Sequence, residues 1–168
     1  MIITQTSRII IRQYQQEEDA PFLKELMNSP KWLQFIGDRN IHTLEDAQNY
    51  ITDKFFKSYE ANGFGYYVIE RKEDKIPVGT CGLVNRETIG GIDIGYALLP
   101  MYEGNGYAFE ATQALYNYAK NTLQIHPILA ITLPKNKASV KLLEKLGLTY
   151  KKMISFPEEN EDLMLFSD

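Results

Sequence analysis

Near residue 100 the chain changes its hydrophobic period, and that change constrains the fold more than any other feature. Gly91 to Leu99 alternates as a strand does, whereas beyond Pro100 the apolar residues Ala108, Ala111, Leu115, Tyr118 and Ala119 recur at helical spacing. The junction reads Glu103-Gly104-Asn105-Gly106-Tyr107-Ala108. A helix amino end leaves backbone N–H groups without internal partners and carries partial positive charge, so such a turn suits an anion. Gly104 and Gly106 add close backbone approach and unusual dihedrals. By themselves the two glycines fit an ordinary strand-to-helix turn equally well.

The rest of the chain reads as strands and helices of one domain. Ser7 to Tyr14 predicts a strand, and Gln16 to Met27 a helix that Asn28-Ser29-Pro30 ends. Thr43 followed by Asp46 resembles a capping box, and Ala47, Tyr50, Ile51, Phe55 and Tyr59 form an apolar stripe until Asn62-Gly63. Phe64 to Arg71 and Ile76 to Asn85 read as a hairpin around Lys72-Glu73-Asp74-Lys75, and Gly91 to Leu99 extends the meander. Ile128 to Leu133 is almost continuously apolar, which predicts a central strand buried on both faces. A helix over Asn136 to Leu146 ends at Gly147, and two strands, Leu148 to Phe156 and Asp162 to Phe166, flank a loop from Pro157 to Glu161. Without an internal repeat or linker, residues 1–168 are expected to form a single α+β domain.

Charge and composition exclude several classes. No apolar run approaches the roughly 20 residues of a membrane span, and the amino end lacks a signal-peptide pattern, so a cytoplasmic protein without membrane association is expected. The net charge of −4 argues against a nucleic-acid partner. Cys81, the single cysteine, lies in the strand-like run Val78 to Leu83 and reads as a small buried residue. Between Lys135 and Lys152 six lysines stand against one acid, Glu144, a local basic surface in an acidic chain. His42 and His126 are too isolated to suggest a metal, and none is expected.

Two competing phosphate motifs fail on residues. A dinucleotide fingerprint needs a third glycine where this chain has Phe109, and an acid at the end of the next strand, where it has Leu133. A nucleotide-hydrolase loop would end in Gly-Lys-Ser/Thr, which is absent. The ordered set Asp93 to Pro100, Tyr102 to Ala111, Asn136-Lys137-Ala138-Ser139, Leu143 to Leu148 and Asp162 to Ser167 instead resembles the GNAT acetyltransferases. Ser7 to Arg12 and Pro77 to Leu83 extend the resemblance over nearly the whole chain. Within the family it is most similar to the ribosomal-protein N-terminal acetyltransferases.

The resemblance implies a mixed, strongly twisted sheet of about six to seven strands flanked by about four helices. Its fourth and fifth strands, here Gly91 to Leu99 and Ile128 to Leu133, splay apart to admit acetyl-CoA. Backbone groups of Leu98, Leu99 and Met101 would pair with the pantetheine arm as an added strand does. An N–H of Leu98 or Leu99 would face the thioester carbonyl, and Gly104, Asn105, Gly106, Tyr107 and Ala108 would cradle the pyrophosphate. Glu103 departs from the family's glutamine or arginine, and its carboxylate is expected to turn outward. Lys137, Lys141 and Lys145 would compensate by facing the 3′-phosphate.

Acetyl transfer to an amine requires a neutral amine and a way to protonate the departing thiolate. Asp93 stands where related enzymes place an acid that deprotonates the amine, although an exposed strand acid fits the sequence equally. The tyrosine that many relatives use is replaced by Leu143, so Ser139 is the candidate partner of the sulfur, with Tyr96 and Tyr107 in reserve. Asn136 reads as a helix cap that also contacts pantetheine or acceptor. Trp32, Phe35 and Ile36 would shape the acceptor wall. The expected function is N-acetyl transfer to a peptide α-amine or a small amine, by a monomer or homodimer. The alternative is a non-catalytic acyl-CoA-binding or interaction module on the same fold.

Overall fold

The computed structural model describes residues 1–157 and 159–168. Glu158, in the loop assigned to Pro157 to Glu161, lies outside the described residues. Eight strands form one sheet in the order β1-β2-β3-β4-β5-β6-β8-β7. They are β1 (Ile2–Gln5), β2 (Ile9–Arg12), β3 (Tyr66–Arg71), β4 (Pro77–Arg86), β5 (Gly91–Leu98), β6 (Ile128–Thr132), β7 (Thr149–Ile154) and β8 (Leu163–Ser167). All neighbours run antiparallel except β5 and β6, which are parallel.

Strand alternation sends successive residues into two cores. Tyr67 and Ile69 pack with α5 (Tyr107–Asn121) and α6 (Lys137–Leu146) on one face. Val68, between them, packs on the other face with α1 (Ala20–Met27), α2 (Pro30–Phe35) and the segment α3 (Leu44–Tyr50). A π-helical stretch over Ile51–Phe56 joins α3 to α4 (Lys57–Asn62). Ala47, Ile51, Phe55 and Tyr59 recur every four residues, which drifts around an ordinary helix. The wider π turn keeps Ile51 and Phe55 on the buried side.

The seven strands and four helices read from sequence become eight and more because two short elements were passed over. Ile2–Gln5 is an edge strand held by β2 and without an alternating pattern of its own. Pro30 does not merely end α1. Ser29 in extended conformation and Pro30 in the first turn begin α2, a position where proline costs no hydrogen bond. Conversely α1 starts at Ala20 rather than Gln16, since the Asp19 carboxylate takes the Gln15 N–H at 2.7 Å and the Arg12 guanidinium through two bonds of 2.8 and 2.9 Å. The capping box of Thr43 and Asp46 is present. No helix among the described residues is long and apolar enough to cross a membrane.

Candidate active site

The one parallel junction of the sheet is also its shortest. β5 and β6 are in register only at Ile92↔Ile128 and Asp93↔Leu129, after which they part, so the splay expected between Gly91 to Leu99 and Ile128 to Leu133 is present. The second half of β5 therefore borders a gap. In an antiparallel ladder the main-chain groups of successive residues point to opposite sides. The Leu99 N–H donates to the Val78 carbonyl at 2.9 Å, and its carbonyl accepts the Tyr102 N–H at 3.0 Å, so both groups of Leu99 are engaged. Leu98, opposite Gly79, consequently aims its N–H and carbonyl into the gap. Of the two donors considered from sequence, Leu98 is the free one. Met101 is 72% exposed and does not line the cleft.

Beyond β5 a short 3-10 turn, Pro100–Tyr102, leads to the glycine turn. Gly104 and Gly106 have φ values of +77° and +82°, the left-handed region that disfavours any side chain. Asn105 folds its amide onto the carbonyls of Tyr102 and Glu103, at 3.2 and 3.1 Å. Tyr107 is buried under Arg8, whose guanidinium lies 4.6 Å from the ring centroid. The side chains of Asn105 and Tyr107 thus turn away, while Gly104, Gly106 and Ala108 line the cleft. A Cβ added at Gly104 would meet nothing within 4 Å, so the turn is open to a bulky anion. The first bond of α5 runs from Glu110 N–H to Gly106, which leaves the N–H groups of Tyr107, Ala108 and Phe109 without helical partners.

Across the gap stands α6. Asn136 caps it by accepting the Ser139 N–H at 3.3 Å, and both residues line the cleft. Ser139 is 8% exposed, and its hydroxyl faces the phenol of Tyr96, whose pKa burial pushes up. Tyr96 also lines the cleft, whereas Tyr107 does not, so of the two reserve donors only Tyr96 reaches it. Leu143 fills the tyrosine position as a buried core residue. Lys141 is exposed and outside the lining, while Lys145 sits over the Phe109 ring at 4.0 Å beside the turn.

Asp93 belongs to the other face of β5. Ile92, Ile94, Tyr96 and Leu98 point toward α5, so Asp93, Gly95 and Ala97 point toward the helices at residues 20–62. The exposed-strand reading of Asp93 is thereby removed, since it is 4% exposed. Its Oδ2 accepts from Arg86 Nε at 2.8 Å, but Oδ1 has no partner among the described residues. Burial raises its pKa, and Arg86 pulls against that rise. Arg86 was not singled out from sequence, although it lies diagonally across the ladder, two places beyond Val84, the partner of Asp93. A tight hairpin between strands was the available signal.

The cleft of about 1490 Å³ exceeds the roughly 300–1,000 Å³ of a pocket for one small molecule, as a site for two ligands requires. Trp32, Phe35 and Ile36 line its other end, with Tyr50, Tyr66 and Arg39. Glu103 turns its carboxylate toward Lys31 of α2, at 2.5 Å. Among the described residues, no three His, Cys, Asp or Glu side chains gather as a metal site.

Comparison with known proteins gives this geometry its context. The acetyltransferase (GNAT) domain family matches residues 8–149. The uncharacterized Bacillus subtilis protein YkkB is 30% identical over 155 residues, 89% of this chain and 86% of its own length. The ribosomal protein uS5-alanine N-acetyltransferase of Escherichia coli is 35% identical over 95 residues, covering 56% of this chain and 48% of the enzyme. Among solved structures, the ribosomal L7/L12 alpha-N-protein acetyltransferase RimL in complex with coenzyme A superposes with a TM-score of 0.85, 17% identity, and coverage of 100% of this chain and 97% of that one.

Proposed function

Because the chain belongs to the GNAT acetyltransferase family, we propose that the acceptor of its acetyl-CoA-dependent N-acetyl transfer is a peptide α-amine, deprotonated by Asp93. The observation that carries this reading is the Asp93 carboxylate: one oxygen is held by Arg86, and the other is buried without a partner at the cleft. An unpaired buried acceptor is costly, and an amine entering the cleft would supply the donor it lacks.

When bound, acetyl-CoA supplies a thioester carbonyl open to attack by a neutral amine. Gly104, Gly106 and Ala108, with the unpaired N–H groups at the start of α5, would hold its pyrophosphate, and the free main-chain edge at Leu98 would hold the pantetheine arm. The Leu98 N–H, which aims into the gap, would stabilise the negative charge that develops on the thioester carbonyl during acyl transfer. Asp93 Oδ1 accepts the amine proton from the opposite face of β5. The Ser139 hydroxyl, beside Tyr96 in the cleft, would donate a hydrogen bond toward the sulfur, and a thiol of pKa about 8.5 needs only a weak donor.

Two observations support a peptide terminus over a polyamine or lysine. An α-amine of pKa about 7.7–8.0 loses its proton far more readily than a lysine of about 10.4, which matches a site with one carboxylate base. The indole N–H of Trp32, which also lines the cleft, has no partner among the described residues. It is a donor for the main-chain carbonyl that follows an α-amine and that a polyamine lacks. The similarity to the ribosomal protein uS5-alanine N-acetyltransferase agrees with this choice. A thiol-release assay with acetyl-CoA against amino-terminal peptides, polyamines and lysine amines tests it. Preferred turnover of peptides, lost in Asp93→Asn, is expected; faster turnover of polyamines would sink the peptide reading.

A further inference from the structure

Within the cofactor turn, Glu103 has chemistry that opposes its task, since a carboxylate repels the pyrophosphate the turn receives. The compensation comes from the far side of the cleft. Lys31 Nζ lies 2.5 Å from Glu103 Oε2, and both residues line the cleft together with Gly104 and Gly106. Lys31 is the second residue of α2, and its neighbour Trp32 is buried in the core formed with α1 and α3. The backbone of Lys31 is therefore fixed at the rim, while its side chain, 58% exposed, remains free to move in water. Glu103 is the sole hydrogen-bonding or ionic partner of Lys31 among the described residues. As a source of stability so exposed a pair is worth little, so its consequence lies in what enters the cleft.

We propose that Lys31 is a cofactor-binding residue whose ammonium, stationed at the turn by Glu103, pairs with the pyrophosphate of acetyl-CoA. The inference builds on the reading of residues 104–108 as the pyrophosphate cradle. An ammonium has three donors, so one stays on the carboxylate while others reach phosphate oxygens. The acceptor-side helix thus supplies the cation that the turn lacks, and Glu103 changes from a repelling charge into the group that positions it.

Calorimetry with CoA, dephospho-CoA and pantetheine tests this on the unaltered chain, Lys31→Ala, Glu103→Gln and the double variant. Lys31→Ala is expected to weaken CoA and dephospho-CoA by about tenfold and to leave pantetheine, which has no pyrophosphate, unchanged. Adding Glu103→Gln to Lys31→Ala recovers only the part of the loss that comes from repulsion, because the cation that pairs with the pyrophosphate is still missing; full recovery would make Lys31 a mere neutraliser of Glu103 and overturns the proposal. Equal CoA affinity in Lys31→Ala and the unaltered chain, or an equal loss for pantetheine, overturns the proposal. Failure of the unaltered chain to bind CoA at all would instead remove the cradle reading, and this inference with it. Unchanged thermal melting of Lys31→Ala confirms that the exposed side chain was read in isolation.

Discussion

Arg8 holds the main-chain carbonyl of Asn105: its Nη1 donates to that oxygen at 3.0 Å from the turn between β1 and β2. The same guanidinium binds Glu110 Oε2 through Nε at 2.7 Å and Nη2 at 2.6 Å. In a planar trans peptide the N–H points opposite to the carbonyl. Fixing the Asn105 oxygen behind α5 therefore turns the Gly106 N–H away from Arg8, and Gly106 lines the cleft where Arg8 does not.

Replacing Arg8 with methionine is expected to weaken CoA binding several-fold while the acceptor KM stays put. The fold should lose roughly 1–2 kcal/mol, the scale of hydrogen bonds to a charged group at a partly exposed position. Calorimetry for the cofactor and urea melts for stability separate the two effects. A stability loss with intact CoA affinity would make Arg8 a mere tether of the first hairpin.

Asp93→Asn should lower turnover by about 10²–10⁴ and leave CoA affinity unchanged. Its stability effect has the opposite sign to most buried substitutions. Burial raises the Asp93 pKa in the folded state, so its favourable contribution is full below the ordinary aspartate value and disappears as pH rises through the folded value. Near neutral pH the variant is expected to melt no lower than the unaltered protein, with the Arg86 side chain, 37% exposed, taken up by water. Turnover should fall as pH drops through the folded Asp93 pKa. Calorimetric scans and pH–rate profiles check both, and retained turnover in Asp93→Asn would remove the base.

Ser139→Ala should reduce kcat by roughly tenfold without altering CoA affinity or helix stability. Asn136 caps α6 through the Ser139 backbone N–H, which the variant keeps, so only the hydroxyl is tested. Stopped-flow thiol release measures the change. An unchanged kcat would transfer the role to the neighbouring Tyr96.

The strongest structural loss is expected far from the cleft. Arg12 joins Asp19, whose side chain is 2% exposed, and Glu70 at 2.6 Å, tying β2 and β3 to the start of α1. Arg12→Met leaves those carboxylates without their cation, and such a break of a buried pair costs about 3–5 kcal/mol. Equilibrium urea unfolding would report it, and a loss below about 1 kcal/mol would reduce this cluster to a surface pair.

The sequence carried the elements whose signals are local. The period change around Pro100, the glycines at 104 and 106, the Thr43–Asp46 cap and the apolar run at Ile128 each act through neighbours in the chain, so the two strands and the turn were readable from them, whereas the splay between the strands was implied only by the family resemblance. Ile2–Gln5 escaped because an edge strand is made by its partner, and Pro30–Phe35 because the residues that end one helix also begin the next.

What the chain order leaves open is which side of a strand meets which layer. Alternation groups Asp93 with Gly95 and Ala97, but only packing of the helices at residues 20–62 on that face, and of α5 on the other, decided that Asp93 and Ser139 approach the gap from opposite sides. The partners of the charged groups were likewise decided by tertiary structure. Arg86 reaches Asp93 through strand register, and Lys31 and Glu103 are 72 residues apart. Period and capping act over a few residues, whereas an ion pair across a cleft exists only once the chain has closed it.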